Sequence, residues 1–133
     1  MPTDVREGLA LRRRARSFVY AARGWLHVLR TQPNAWIHAG ISLGVFGLAL
    51  WLRVSRIEWA ILLLTIMLVW MAEFFNTALE AAVDMAMPDI HPLAGTAKDV
   101  AAAAVLVGAV GSVIIGLIIL GPPLWLRLFG PAG

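Results

Sequence analysis

The chain has 133 residues, 60% of them hydrophobic and only 14% charged, and a mean hydropathy of +0.80. That length suits one domain, and the apolar excess excludes an ordinary soluble protein in favour of a membrane one. The absence of cysteine excludes disulfides, thiolate metal sites and cysteine nucleophiles; the net charge of +3 is concentrated in arginines beside an apolar span, which points to anionic headgroups rather than nucleic acid.

Residues 1–11 carry little signal, and the first 30 residues contain no continuous apolar core, so no cleavable signal peptide is expected. From Arg12 to Arg30 the pattern is helical and two-faced. Phe18, Val19, Ala22, Trp25, Leu26 and Leu29 form one side, and Arg16, Arg23, His27 and Arg30 lie opposite. This predicts a helix lying in the membrane interface, with arginines or Tyr20 available to a polyphosphate. Pro33 disfavours helical geometry at Gln32 and ends that helix.

Ala35 to Leu52 is the first span, broken only by His38 and Ser42; its 18 residues cover about 27 Å. Trp36, Trp51 and Trp59 sit near span ends, where indoles anchor. His38 reads as a satisfied core histidine. After a short turn at Arg53–Glu58, the second span runs uncharged from Trp59 to Ala72 and then admits Glu73, Asn76, Glu80 and Asp84. At about 100° per residue these four fall at roughly 0, 300, 340 and 20°, on one narrow face. Measured from Trp59, Glu73 lies about 21 Å along the axis and Glu80 about 31 Å. Glu80 therefore reaches the far interface of a hydrocarbon core about 30 Å thick, while Glu73 stays inside it. Desolvation suits the deeper carboxylate to accept a proton, and the shallower one to hold a metal.

Pro88, Pro92 and Gly95 predict a loop over Met85–Gly95 that carries Asp89 and His91. The third helix is expected to start near Thr96, with Thr96 and Asp99 at capping-box spacing, and to end at Gly121-Pro122-Pro123. Ala104, Gly108, Ser112 and Gly116 form a small-residue stripe for helix packing. The expected boundaries, within a single membrane domain over 1–133, are 12–30, 35–52, 57–86 and 97–120. Seven arginines before the first span and Lys98 after the second outnumber Arg53, Arg56 and Arg127 on the other side. The N-terminus and the loop after the second span are thus expected on the cytoplasmic side of the cell membrane.

Two carboxylates, a lysine and a basic helix suit phosphoryl transfer, which needs a metal, cations and a positioned acceptor. No GxxxxGK[ST], GxGxxG or HExxH occurs, so a nucleotide would be held by helix surfaces and side chains. The segment Ala72-Glu73-Phe74-Phe75-Asn76-Thr77-Ala78-Leu79-Glu80-Ala81-Ala82-Val83-Asp84, with His91-Pro92-Leu93-Ala94 and Ala97-Lys98-Asp99-Val100-Ala101-Ala102, resembles the prokaryotic diacylglycerol kinase/undecaprenol kinase family. The likeness runs from about Arg13 to Leu120. It implies an all-α membrane protein: an N-terminal interfacial amphipathic helix, three transmembrane helices, and a homotrimer with shared active sites.

The same resemblance implies Mg²⁺- and ATP-dependent phosphorylation of a membrane lipid alcohol, undecaprenol or diacylglycerol, with the former favoured by the His91 and Lys98 segments. Glu73 matches the general base and Glu80 a metal ligand. Asn76, Lys98, Asp99, Asp89, His91, Arg13 and Tyr20 match nucleotide-binding positions, and Ser17, Asn34 and Trp51 are the corresponding lipid-binding candidates. Where the family commonly carries a second metal-binding glutamate, this chain has Gln32, which keeps an oxygen ligand but loses a charge. Two other readings accommodate the buried carboxylates: a small cation carrier or channel, and a structural bundle glued by its polar face. The carrier or channel reading explains neither Lys98-Asp99 nor the arginine-rich helix.

Overall fold

A computed structural model describes residues 3–87 and 91–130, with side chains from residue 13 onward. The described residues form four helices and no strand: α1 (Thr3–Thr31), α2 (Pro33–Leu52), α3 (Arg56–Ala86) and α4 (Pro92–Phe129). The last three are each long and apolar enough to cross a bilayer. Contacts divide the chain into two units, residues 1–33 and 34–133.

The first unit is essentially α1. It begins nine residues before the expected Arg12, and the sequence there offers acids, Asp4 and Glu7, near a positive helix N-terminus. Arg13, Ser17 and Tyr20 recur at four and three residues and so share one face. Ser17 donates to the Arg13 carbonyl at 3.3 Å, and the Arg23 guanidinium stands 5.9 Å from the Tyr20 ring centre. Only Gln32 separates α1 from α2, which starts on Pro33, a residue whose missing N–H costs nothing in a first turn.

In the second unit the pairs Ala49–Leu62, Ser42–Trp70 and His38–Glu73 join α2 to α3 in antiparallel register. Leu62–Leu120, Val69–Gly108 and Asp84–Lys98 do the same for α3 and α4. The turn between α2 and α3 is tight because two motifs meet in it. Arg53 adopts φ 54°, and the Val54 N–H reaches back to the Ala49 carbonyl at 3.3 Å, closing a Schellman-type helix end. Val54 then packs on the Ala49–Leu62–Leu120 core. Ser55 and Glu58 complete a capping box at the start of α3, with Ser55 N–H to Glu58 Oε2 at 2.6 Å and Glu58 N–H to Ser55 Oγ at 3.3 Å.

Two expectations for the last helix need correction. Its N-cap is His91, whose Nδ1 accepts from the Leu93 N–H at 3.2 Å, followed by Pro92 in the first turn; Thr96 instead bonds back to the Pro92 carbonyl. Nor does the helix stop at Pro122-Pro123. It continues to Phe129, where Trp125 stacks on Phe129 at 4.6 Å and Arg127 lies 5.6 Å from the Trp51 ring centre. Adjacent prolines remove two N–H donors but leave the helix unbroken, and the aromatic and cation contacts of Trp125 and Arg127 lie on the turns beyond them.

The small-residue stripe of α4 divides its labour. At Gly108 a Cβ would lie 3.9 Å from the Val69 Cα, so the α3 and α4 backbones approach closely there. Ser112 and Gly116 instead line a cavity of about 380 Å³ between α2, α3 and α4. His38 and Ser42 mark one end of that cavity, and the remaining wall is almost wholly apolar.

Candidate functional site

The buried face of α3 runs Leu62, Thr65, Val69, Glu73, Asn76 and Thr77, at spacings of three and four. Its first half is the bundle core, and its second half places polar groups where a core would continue. Among the described residues, Glu73 is the largest side chain with less than 2% exposure. Asn76 and Thr77 are also buried, Glu80 is half-buried and Asp84 is exposed, so accessibility rises along one face toward the helix end. The two carboxylates thus occupy different environments within the bundle.

Local bonds leave the critical atoms open. Thr77 Oγ1 donates to the Glu73 carbonyl at 2.9 Å, satisfying backbone rather than carboxylate. Both Glu73 oxygens and Asn76 Oδ1 are buried without a hydrogen-bond partner, while Asn76 Nδ2 donates to Glu80 Oε1 at 3.1 Å. A buried carboxylate left uncompensated costs several kcal/mol as an ion, which a structural role does not justify. Its neighbour is His38, with Nε2 3.8 Å from Glu73 Oε2 and likewise without a hydrogen-bond partner.

The imidazole also meets Trp70, in a T-shaped contact at 6.3 Å between ring centres, and Trp70 donates its indole N–H to Ser42 Oγ at 3.4 Å. Ser42 in turn donates to the His38 carbonyl at 2.7 Å. His38 is therefore not the satisfied core histidine expected in the first span, since its Nε2 is buried without a hydrogen-bond partner. The available signal was that His38 is the one titratable residue in the first span.

The other candidates are distributed along the helices. Lys98 is half-buried near the start of α4 and pairs with Asp84 at the end of α3, a contact spacing alone does not reveal. Asp99 and His91 are exposed. Asp89 lies outside the described residues. Arg13, Ser17 and Tyr20 are exposed on α1; Gln32, half-buried, donates its N–H to the Val28 carbonyl at 2.9 Å. Asn34 is exposed in the first turn of α2, and Trp51 at its end faces Arg127.

For a divalent cation the donor chemistry fits. Glu80 supplies a carboxylate and Asn76 an unpartnered amide oxygen, both hard oxygen ligands. Magnesium uses one or two protein carboxylates and completes its shell with phosphate and water, so a larger acid cluster is not required. Among the described residues no three His, Asp or Glu side chains cluster as a metal cage.

The model of the prokaryotic diacylglycerol kinase family matches residues 19–120, a range that holds the whole α3 polar face and the Lys98 segment. The chain belongs to that family. It is a lipid kinase. It is 44% identical over 114 residues to the undecaprenol kinase of Bacillus subtilis, a match covering 86% of this chain and 93% of that one. It is also 43% identical over 109 residues to the diacylglycerol kinase of Synechocystis, covering 81% of this chain and 62% of the relative. The diacylglycerol kinase of Escherichia coli K12 is 41% identical over 73 residues, covering 55% and 60% of the two chains. A lipid alcohol and ATP are the substrates that this family membership implies, and a carrier or purely structural bundle no longer accounts for the chain.

Proposed function

We propose that the chain transfers the γ-phosphoryl group of ATP to the hydroxyl of undecaprenol, in preference to diacylglycerol, at the cytoplasmic face of the cell membrane. The observation that carries the reading is the gradient on α3, with a buried, unpartnered Glu73 about two turns from a half-exposed Glu80. A lipid alcohol approaches from within the bilayer, and a nucleotide from water. One helix face that presents a carboxylate at each depth meets both.

In this mechanism Glu73 accepts the proton of the lipid hydroxyl as its oxygen attacks the γ-phosphorus. Glu80, oriented by Asn76 and joined by Gln32, holds Mg²⁺, which when bound neutralises phosphate charge. Lys98 exchanges its Asp84 partner for the phosphates, and Asp99, Asp89, His91, Arg13 and Tyr20 border the nucleotide. Ser17, Asn34 and Trp51 contact the lipid. The chain works as one membrane domain and assembles as a homotrimer with sites shared between copies. The preference for undecaprenol draws support from the likeness to the Bacillus subtilis kinase, which spans nearly all of that protein.

Purified protein given γ-labelled ATP, Mg²⁺ and each lipid in turn tests the reading by thin-layer separation of the products. Label on undecaprenyl phosphate at a higher kcat/KM than on phosphatidic acid is expected. Glu73→Gln should lower kcat by about 10²- to 10⁴-fold with little change in the KM for ATP. Full activity in that variant removes Glu73 as the base.

A further inference from the structure

The geometry points to His38 as a positioning residue for Glu73, one that aligns its carboxylate and takes on the proton that Glu73 removes from the acceptor alcohol. This rests on the reading of Glu73 as the base. Three observations carry it. The Nε2–Oε2 separation is 3.8 Å, and neither atom has a hydrogen-bond partner, although both are buried. The imidazole packs against the Trp70 ring in a T-shaped contact, and Ser42 ties the His38 backbone carbonyl to the Trp70 indole, linking α2 to α3. His38 also lines the end of the apolar cavity, whereas the neighbouring wall offers no competing acid or base.

The electrostatic surroundings are simple. From α3, Glu73 faces the imidazole, and Glu80 acts on Glu73 from two turns away. Between Asp99 and Arg127 α4 contains no titratable residue, and α2 has no other. A proton that Glu73 takes up therefore has a base beside it on which to move. Without such an outlet, a buried carboxylic acid must release its proton through apolar surroundings before the next turnover.

The step balances as follows. The acceptor O–H bond breaks and its oxygen bonds to the γ-phosphorus, while the bond from that phosphorus to the bridging oxygen breaks and ADP departs. The alcohol proton goes to Glu73, then to Nε2 of His38, leaving a carboxylate and an imidazolium that afterwards yields its proton to water. The 3.8 Å gap exceeds hydrogen-bond reach by a few tenths of an ångström. Base contacts of this length tighten when substrate binds.

The test is the pH dependence of kcat between about pH 5.5 and 8.5, bracketing the ordinary imidazole range. It uses the full chain in mixed micelles with undecaprenol and ATP. His38→Gln retains a donor near the Nε2 position but cannot take a proton. It should lower kcat by about 10- to 100-fold, leave the KM for ATP within about twofold, and remove the acid limb from the pH profile of kcat. An unchanged kcat, or an acid limb that persists in His38→Gln, overturns the inference. If His38→Gln does not melt cooperatively, folded His38→Ala replaces it: added imidazole should restore part of its rate, and failure to do so overturns the inference. Glu73→Gln separates the two claims. Activity in that variant sinks the base reading and this inference together; inactivity beside an unaltered His38→Gln sinks this inference alone.

Discussion

Asn76 donates its side-chain N–H to Glu80 Oε1 at 3.1 Å, one helical turn away, while its own Oδ1 lies buried without a partner. The asparagine therefore does two things: it fixes one carboxylate oxygen, and it offers an amide oxygen to whatever Glu80 binds. Outer contacts that orient a ligand typically change metal affinity by about 10- to 100-fold. Asn76→Leu should raise the Mg²⁺ concentration for half-maximal rate by about that factor, read from an Mg²⁺ titration at saturating ATP. An unchanged titration would mean that Asn76 serves only packing.

The proposed function also assigns Gln32 a role as a metal ligand. An amide oxygen ligates Mg²⁺ more weakly than a carboxylate does, since hard cations favour charged oxygen. Gln32→Glu is expected to lower the half-saturating Mg²⁺ concentration by about 3- to 10-fold, in keeping with the span by which ligand charge tunes such sites. Half-saturation that stays put, or rises, argues against a metal role for this position.

Gly108 of α4 packs against Val69 of α3. An added Cβ would sit 3.9 Å from the nearest Val69 atoms, an ordinary van der Waals distance. Gly108→Ala should thus fold normally in detergent. Gly108→Leu has no such room and should lower stability by about 1–3 kcal/mol, seen as an earlier thermal transition. Equal melting of both variants would show that the helix pair separates freely.

Arg53 occupies the left-handed region at φ 54°, at a helix end where glycine is the usual residue. A side chain there costs about 1–2 kcal/mol, part of which glycine returns through its freer unfolded chain. Arg53→Gly should raise unfolding stability by about 0.5–1 kcal/mol without altering kcat. Destabilisation instead would assign the arginine side chain a role in holding the turn.

Much of this architecture follows from local pattern. The three spans were legible because an uninterrupted apolar run is itself the requirement for crossing a bilayer. The separation of Glu73 and Glu80 along α3 was legible because helical rise is constant; that the first is buried among the helices and the second half-buried is a matter of packing. Motif chemistry on α3 and around Lys98 carried the family, since those residues lie close together along the chain.

Register between helices was a different matter. His38 and Glu73 are 35 residues apart, and Lys98 lies 14 residues beyond Asp84. Whether such pairs meet depends on how two rods slide and turn against each other. That choice is made by Val69 against Gly108, by the Ala49–Leu62–Leu120 core and by the tight turn at Arg53, all acting at once. Likewise, Pro122-Pro123 reads as a stop by propensity, yet α4 passes through it to Phe129. Sequence alone determined which segments are long and apolar enough to cross a membrane and how far apart the two carboxylates lie along their helix, because hydropathy and helical rise are properties of a single segment. The tertiary structure alone decided that an imidazole stands beside the buried one, because that contact belongs to no segment by itself.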